Sequence, residues 1–276
     1  MSASAGWRSV TAFGMLAGSA MVAHAQAIAV ARVGYTEGHV ERSRVDADWD
    51  QAREGADVYI GDRYRTGPSS RVRIDFRWMS VAIDSSSQLS IPNDVILSAA
   101  LEHGRVEPYS STGAIIKVVT AEASVRGEGR VAVRRRDATT FVSVLSGSFS
   151  VQPPGQSPVE VLEGHGVVVA ADAERLDVVP LAPPPSGAQP SAADAAYVRR
   201  GEPAFVSWDA DEAGRFHVEL LGYDGVEVVR GQDVSGGRVA LDVAWTGTFR
   251  WRVSAFDARG LEGMPSETGI LCVVDK

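Results

Sequence analysis

From Ile28 to about Val179 apolar and polar positions alternate in short runs, with almost no helical periodicity. The clearest run is Arg71-Val-Arg-Ile-Asp-Phe-Arg-Trp78. Val72, Ile74, Phe76 and Trp78 share one face, and Arg71, Arg73, Asp75 and Arg77 share the other. A strand with one side in a core and one in water has this pattern. Apolar parity flips before Val81 and Ile83, which places a turn near Met79-Ser80. Val131 and Val133, Phe141-Val-Ser-Val-Leu145, Phe149-Ser-Val151 and Gly164-His-Gly-Val-Val-Val-Ala170 continue the style. Gly55, Gly61, Gly104, Gly147, Gly155 and Gly164 punctuate the runs as tight β turns require. Asp50-Gln-Ala-Arg-Glu54 alone reads as a short helix or turn. The pattern predicts an all-β body over 28–179, a compact solenoid or roll.

Pro180-Leu-Ala-Pro-Pro-Pro-Ser-Gly-Ala-Gln-Pro190 follows, then Ser-Ala-Ala-Asp-Ala-Ala. Clustered proline stiffens the first part and small residues loosen the second, so 180–197 reads as a linker. A second body over 198–276 shows strands at 204–208, 215–221, 226–229, 238–243, 248–255 and 269–274. Turn signals fall at Asp209 to Gly214, Tyr223-Asp-Gly225, Ser235-Gly-Gly237 and Asp257-Ala-Arg-Gly260. So many short strands in so few residues predict a small β-sandwich.

The N-terminal residues read as an address. Arg8 precedes an apolar stretch from Val10 to Ala23, closed by Ala23-His24-Ala25. This is the layout of a secretory signal over 1–25, with Gln26 as the new N-terminus, cleavage after Ala27 as the near alternative and an uncleaved anchor helix as the other reading. The stretch is short for a membrane span, so the processed chain is expected to keep none and to be periplasmic or secreted. The formal net charge of −8 argues against nucleic-acid binding. The single cysteine, Cys272, excludes an intramolecular disulfide.

Several stretches carry a family resemblance. The first body opens with Val33-Gly34-Tyr35-Thr-Glu-Gly38-His-Val40. It continues with Trp49-Asp-Gln-Ala-Arg-Glu-Gly-Ala-Asp-Val-Tyr-Ile-Gly61-Asp62-Arg-Tyr-Arg-Thr66. Later come Val125-Arg126-Gly127, Val144-Leu-Ser-Gly147-Ser-Phe149-Ser-Val151 and Gly164-His-Gly166. In this order, over roughly Ala31 to Ala170, they resemble the ferric-citrate regulator (FecR) domain family. Trp78-Met79 stands where that family favours Asp-Gly, and Glu128 where it favours Thr. The chain opens on an export signal where the founding regulator has a cytoplasmic anti-sigma segment and a membrane helix. The resemblance therefore implies a secreted member rather than a direct relay to a sigma factor. Phe205-Val-Ser-Trp208 and Gly247-Thr-Phe-Arg-Trp-Arg-Val253, with the turn that follows, resemble a fibronectin type III or similar immunoglobulin-like domain. Such modules bind or space.

Candidate chemistry is sparse. His39, His103, His165 and His217 are far apart and lack zinc-ligand spacing, so no metal or cofactor is expected. Asp46-Ala-Asp-Trp-Asp50 begins like a calcium loop, but Gln51 replaces its glycine and Asp57 its closing glutamate. It reads as a solvated turn, as does Asp209-Ala-Asp211-Glu212. No nucleophile elbow or phosphate-binding loop motif occurs, and no catalytic residues are expected. Arg134-Arg-Arg136 reads as a solvated basic turn, with lipid phosphates or anionic glycans as the alternative contact. Cys272, in parity with Ile270 and Val274, reads as a small buried hydrophobe.

The candidate partner-binding residues lie at the first hairpin: Trp78, Met79, Arg71, Arg73 and Arg77. Parity carries Trp78 toward the core and makes Met79 the more exposed. The arginine face would add cations with apolar stems. The expected function is that of a non-catalytic envelope protein working through protein-protein contacts. The alternative is a carbohydrate or peptidoglycan module, with Tyr35, Tyr59, Tyr64 and Tyr109 as candidate stacking rings. The partner is an envelope protein or a cell-wall glycan, not nucleic acid.

Overall fold

The computed structural model describes residues 28–45, 47–93, 98–110, 112–210, 214–222, 228–243 and 245–275. The signal over 1–25, Asp46 of the calcium-like stretch, and the turn residues Asp211, Glu212 and 223–225 lie outside them. The described residues are all-β. Asp50 to Glu54, where a helix or turn was expected, hold the end of a strand and a turn. No helix is long and apolar enough to cross a membrane among the described residues.

The first body contains β1 (Ala31–Glu37), β2 (Val40–Ser43), β3 (Trp49–Gln51), β4 (Asp57–Val58), β5 (Arg63–Thr66), β6 (Arg71–Phe76), β7 (Ser80–Ile83) and β8 (Gln88–Ser90). It continues with β9 (Ser98–Tyr109), β10 (Ile116–Val119), β11 (Ser124–Arg136), β12 (Thr139–Gln152), β13 (Val159–Leu162), β14 (His165–Ala170) and β15 (Val179–Pro180). They form one branched sheet whose main path runs β15-β14-β12-β11-β10-β9-β7-β6-β1-β4. One core draws on nearly every strand, from Val33 and Val40 through Ile74, Ile83 and Val106 to Val144, Phe149 and Val167. A sheet that contributes so widely to a single core is folded over on itself. All six glycines read as turn markers have φ in the left-handed region, but Gly104 and Gly147 lie inside β9 and β12, where the positive φ breaks the alternation of a continuous strand instead of making a turn.

The second body contains β16 (Ala196–Arg199), β17 (Ala204–Ser207), β18 (Arg215–Leu221), β19 (Val228–Ser235), β20 (Arg238–Leu241), β21 (Gly247–Ala255) and β22 (Gly269–Val274). A five-stranded sheet, β16-β22-β21-β18-β19, faces the two-stranded β17-β20. Ala204, Val206 and Leu241 from the small sheet pack with Phe216, Val218, Trp251, Val253 and Leu271 from the large one. Trp208 stacks edge-on against Phe216, with centroids 5.3 Å apart.

Residues 180–197 do not run free. Leu181 is buried with Ala132, Leu145 and Leu261. The Ala182 carbonyl accepts the Met264 N–H at 2.9 Å, Gln189 bonds Ser207 in both directions, and the Pro190 carbonyl accepts Trp251 Nε1–H at 2.9 Å. Ala196 to Arg199, at the linker's end, form β16, which runs parallel to β22. The proline-rich segment is thus a strap docked on both bodies. It shares a small apolar seam, also lined by Phe141, Val168 and Met264, where they meet.

Candidate functional site

The hairpin β6–β7 carries the expected partner-binding residues, and the structure redistributes them. At its tip the Phe76 N–H donates to the Met79 carbonyl at 2.9 Å, closing a turn at 76–79. The two-residue period ends with that turn, so parity cannot be carried on to Trp78. Trp78 is 51% exposed, while Met79 is 7% exposed and belongs to the core. The expected order of exposure is reversed. The Trp78 backbone is held by Ser110 Oγ and Thr112 Oγ1, which donate to its carbonyl at 3.2 and 3.3 Å. The exposed Arg77 lies over the indole, 4.6 Å from its centroid. Arg73 is half-buried and chelates Asp75 through Nε and Nη2 at 2.7 and 2.9 Å.

Arg71 is not a surface cation. It is almost fully buried at the base of the hairpin, 2.8 Å from Asp84, which directly follows β7. The polar face of β6 was read as facing water, but at this end the second body covers it. Gly231 of β19 allows the approach. A Cβ there would lie 3.0 to 3.1 Å from Asp84 Oδ1, His217 Nε2 and Arg71 Nη1.

Arg71 and Asp84 open onto a buried cluster of alternating charges. Arg105 on β9 is its hub. Its guanidinium reaches Asp84 at 2.5 Å, Glu107 at 2.6 Å, and Glu262 of the second body at 2.8 and 2.9 Å. Glu107 also binds Arg130, and Arg252 of β21 at 3.1 Å; Arg252 in turn holds Glu219 of β18. His217, one position pair along β18, donates Nδ1–H to Asp233 at 2.8 Å, with Asp84 and Glu219 at 3.5 and 3.7 Å from Nε2. Arg134 closes the rim with two bonds to Asp233, at 2.7 and 3.0 Å. Strand alternation explains the set: Phe216, Val218 and Leu220 face the second core, so His217 and Glu219 must face the first body.

The electrostatics follow from burial and pairing. Burial and the Arg105 charge push the His217 imidazole down, but Glu262, Asp233 and Glu219 outweigh them and raise it to about 9. His217 is therefore a cation at neutral pH. Burial raises the Asp84 and Asp233 carboxyls, yet Arg71 and Arg105 beside the first, and His217 and Arg134 beside the second, bring both below the usual range. Glu107 is lowered despite burial, by Arg130 and Arg105. Glu219 is raised by burial and by repulsion from Glu107. Each acid sits against a guanidinium or imidazolium, the condition under which charges persist out of water. Such a cluster holds two bodies in one register.

The other sequence-marked residues have structural roles or lie apart. The Gly61-Asp62 pair makes a turn, with Asp62 buried and accepting the Tyr59 N–H at 3.0 Å. Thr66 Oγ1 donates to the Asp84 carbonyl at 2.5 Å and steadies the hairpin base. Tyr64 is in the core, Tyr35 packs edge-on against Trp245, and Tyr59 lies under Arg44. Of the basic run, only Arg136 is a solvated side chain; Arg135 is held by Glu122. Cys272 keeps its predicted parity with Ile270 and Val274 but is only half-buried, because Leu271 and Val273 take the core-facing side of β22. Among the described residues no three of His, Cys, Asp and Glu are set to hold a metal ion.

No family model and no curated protein matches this chain. Solved structures with partial likeness include a putative anti-sigma factor from Parabacteroides distasonis ATCC 8503, at 17% identity and a TM-score of 0.37. That match covers 43% of this chain and 59% of that one. The extracellular domain of a putative hybrid two component system from B. thetaiotaomicron matches at 7% identity and a TM-score of 0.25, over 70% of this chain and 36% of that one. This chain thus spans little more than half of the first relative.

Proposed function

We propose that this is a non-catalytic, exported envelope protein that acts through protein-protein contact, presenting the tip of the 71–84 hairpin to its partner. We read the first body as FecR-like and the second as immunoglobulin-like. The order of the motifs in one and the two facing sheets of the other support that reading. The observation that carries the contact proposal is Trp78. It is a large aromatic, half in solvent, pinned at its backbone by two hydroxyls and capped by Arg77. A rigid tryptophan beside an arginine loses little entropy on binding, and both residue types are enriched in interface hot spots. The buried Arg71–Asp84 pair fixes the hairpin base, so the tip is preorganised.

The test is cross-linking of the processed protein in a native envelope fraction, comparing the parent with Trp78→Ala. A dominant protein adduct mapping to 71–84 is expected. Trp78→Ala should weaken capture about 30-fold, the scale of a 2 kcal/mol hot spot, while shifting stability by less than about 0.5 kcal/mol. An adduct unchanged by the substitution would place the contact elsewhere. Cross-links confined to wall fragments would replace this reading with the glycan-binding one.

A further inference from the structure

A second feature is independent of Trp78. Where the end of β11 and the start of β12 meet the second body, a cleft of about 430 Å³ opens, lined by Arg134, Arg136, Arg215 and Arg259 together with Phe141 and Phe256. Asp257 is the one acid in its lining. In a chain with a formal net charge of −8, four arginines against Asp257 in the lining and Asp137 and Asp233 at its edge leave a local excess of positive charge. A concave, partly apolar site focuses such a field.

The side chains have unequal freedom. Arg134 is committed to Asp233 through both Nη atoms, and it lies 4.4 Å from the Phe256 centroid. Arg215 lies 5.2 Å from the same ring and only 3.8 Å from Asp233. Asp257 is spent on its own turn: Oδ1 accepts the Arg259 and Leu261 N–H groups, each at 2.9 Å. Arg136 and Arg259 are 62% and 59% exposed, each with one acid at 3.2 Å. The Arg136–Asp137 pair is exposed on both sides, and such pairs contribute about 0 to 1 kcal/mol, so a better anion displaces it readily. Asp257, 16% exposed, instead stays in its turn and leaves the outer Arg259 nitrogens to the ligand. The floor is kept open by Gly260, whose φ is +92° and whose Cβ would sit 3.1 Å from the Phe141 ring.

We infer that this cleft between the two bodies binds a phosphate-bearing ligand, with Arg136 and Arg259 as the forks that grip it and Arg215 as a third cation. Guanidinium forks match phosphate oxygens in pairs, and several converging cations favour a multiply charged group over a single carboxylate. The volume lies within the range of small-ligand sites, so the phosphate carries a further moiety that rests on Phe141 and Phe256. That moiety belongs either to a soluble phosphorylated molecule or to a lipid headgroup.

The experiment is calorimetric titration of the processed protein with inorganic pyrophosphate, paired with sedimentation of phosphatidylglycerol and phosphatidylcholine vesicles. Saturable binding at one site is expected, weakened about tenfold by either Arg136→Ala or Arg259→Ala and unchanged by Arg32→Ala, an exposed arginine outside the cleft. Cosedimentation with phosphatidylglycerol alone, lost in the same two variants and displaced by pyrophosphate, would support the site and assign it to a headgroup. Pyrophosphate binding without vesicle binding would support it and assign it to a soluble ligand. No saturable binding of either probe, or equal binding by parent and both cleft variants, would overturn the inference and leave the Trp78 reading untouched.

Discussion

His217 shows how far a side chain's chemistry depends on what folds against it. In the sequence it is an isolated histidine in an alternating strand. In the fold Asp84, Glu219, Asp233 and Glu262 face it from both bodies, opposed by Arg105 and Arg71. Its folded value of about 9 lies above the 6.5 of a free imidazole, so the proton stabilises the folded state. That contribution is complete below about pH 6.5 and is lost as pH rises through 9. The midpoint of thermal unfolding should fall between these values. His217→Gln should be less stable at pH 6.5 and flatter across the window. Parallel curves for the two proteins would remove His217 as the linked group. Arg71 and Met79 were chosen from the sequence as surface residues; burial removes both, while Trp78 and Arg77 stay in solvent. The sequence signal was an alternation that a turn interrupts two residues earlier than parity suggests, at Arg77-Trp78 instead of Met79-Ser80.

At the scale of elements, the long strand β9 supplies Arg105 and Glu107, the centre of the cluster, and it was not legible as a strand. Both its faces are largely covered, and Gly104 breaks its alternation. That glycine is required. Its φ is +94°, and a Cβ would fall 2.1 Å from Ser87 Oγ and 2.5 Å from Ser87 Cα. Ser87 Oγ accepts the Arg105 N–H at 3.0 Å, so the close approach also aims the hub arginine. Gly104→Ala should cost more than about 1 kcal/mol in urea unfolding, through strain and the displaced serine. A loss within error would show that β9 can shift without cost. By contrast, β6, β7, β12, β18, β21 and β22 were visible from alternation and turn residues alone, because each has one clean apolar face.

For the whole molecule, the docked strap, the Leu181–Leu261 seam and the charge cluster argue for one cooperative unit rather than two beads on a spacer. Calorimetry of the protein should show a single unfolding transition. Arg105→Met leaves Asp84, Glu107 and Glu262 short of a cation at a site where Arg105 is 3% exposed. Removing one partner of a buried pair costs about 3 to 5 kcal/mol, so the variant should melt earlier and resolve into two transitions. Two transitions already in the parent would mean that the bodies are not coupled.

Local pattern by itself determined that the described residues are all-β and in which strands a side chain shares a face with which neighbours. Period-two alternation and left-handed glycines are properties of short segments, and they survive in any context. Only the tertiary structure decided which polar faces see water. Charged positions on β6, β9, β11, β18 and β21 have the same spacing whether solvent or a second sheet lies above them. The hairpin's buried base, the seam cluster and the arginine cleft arise from docking residues distant in sequence, Arg105 with Glu262 and Arg134 with Asp233, and no window of alternating residues contains that information.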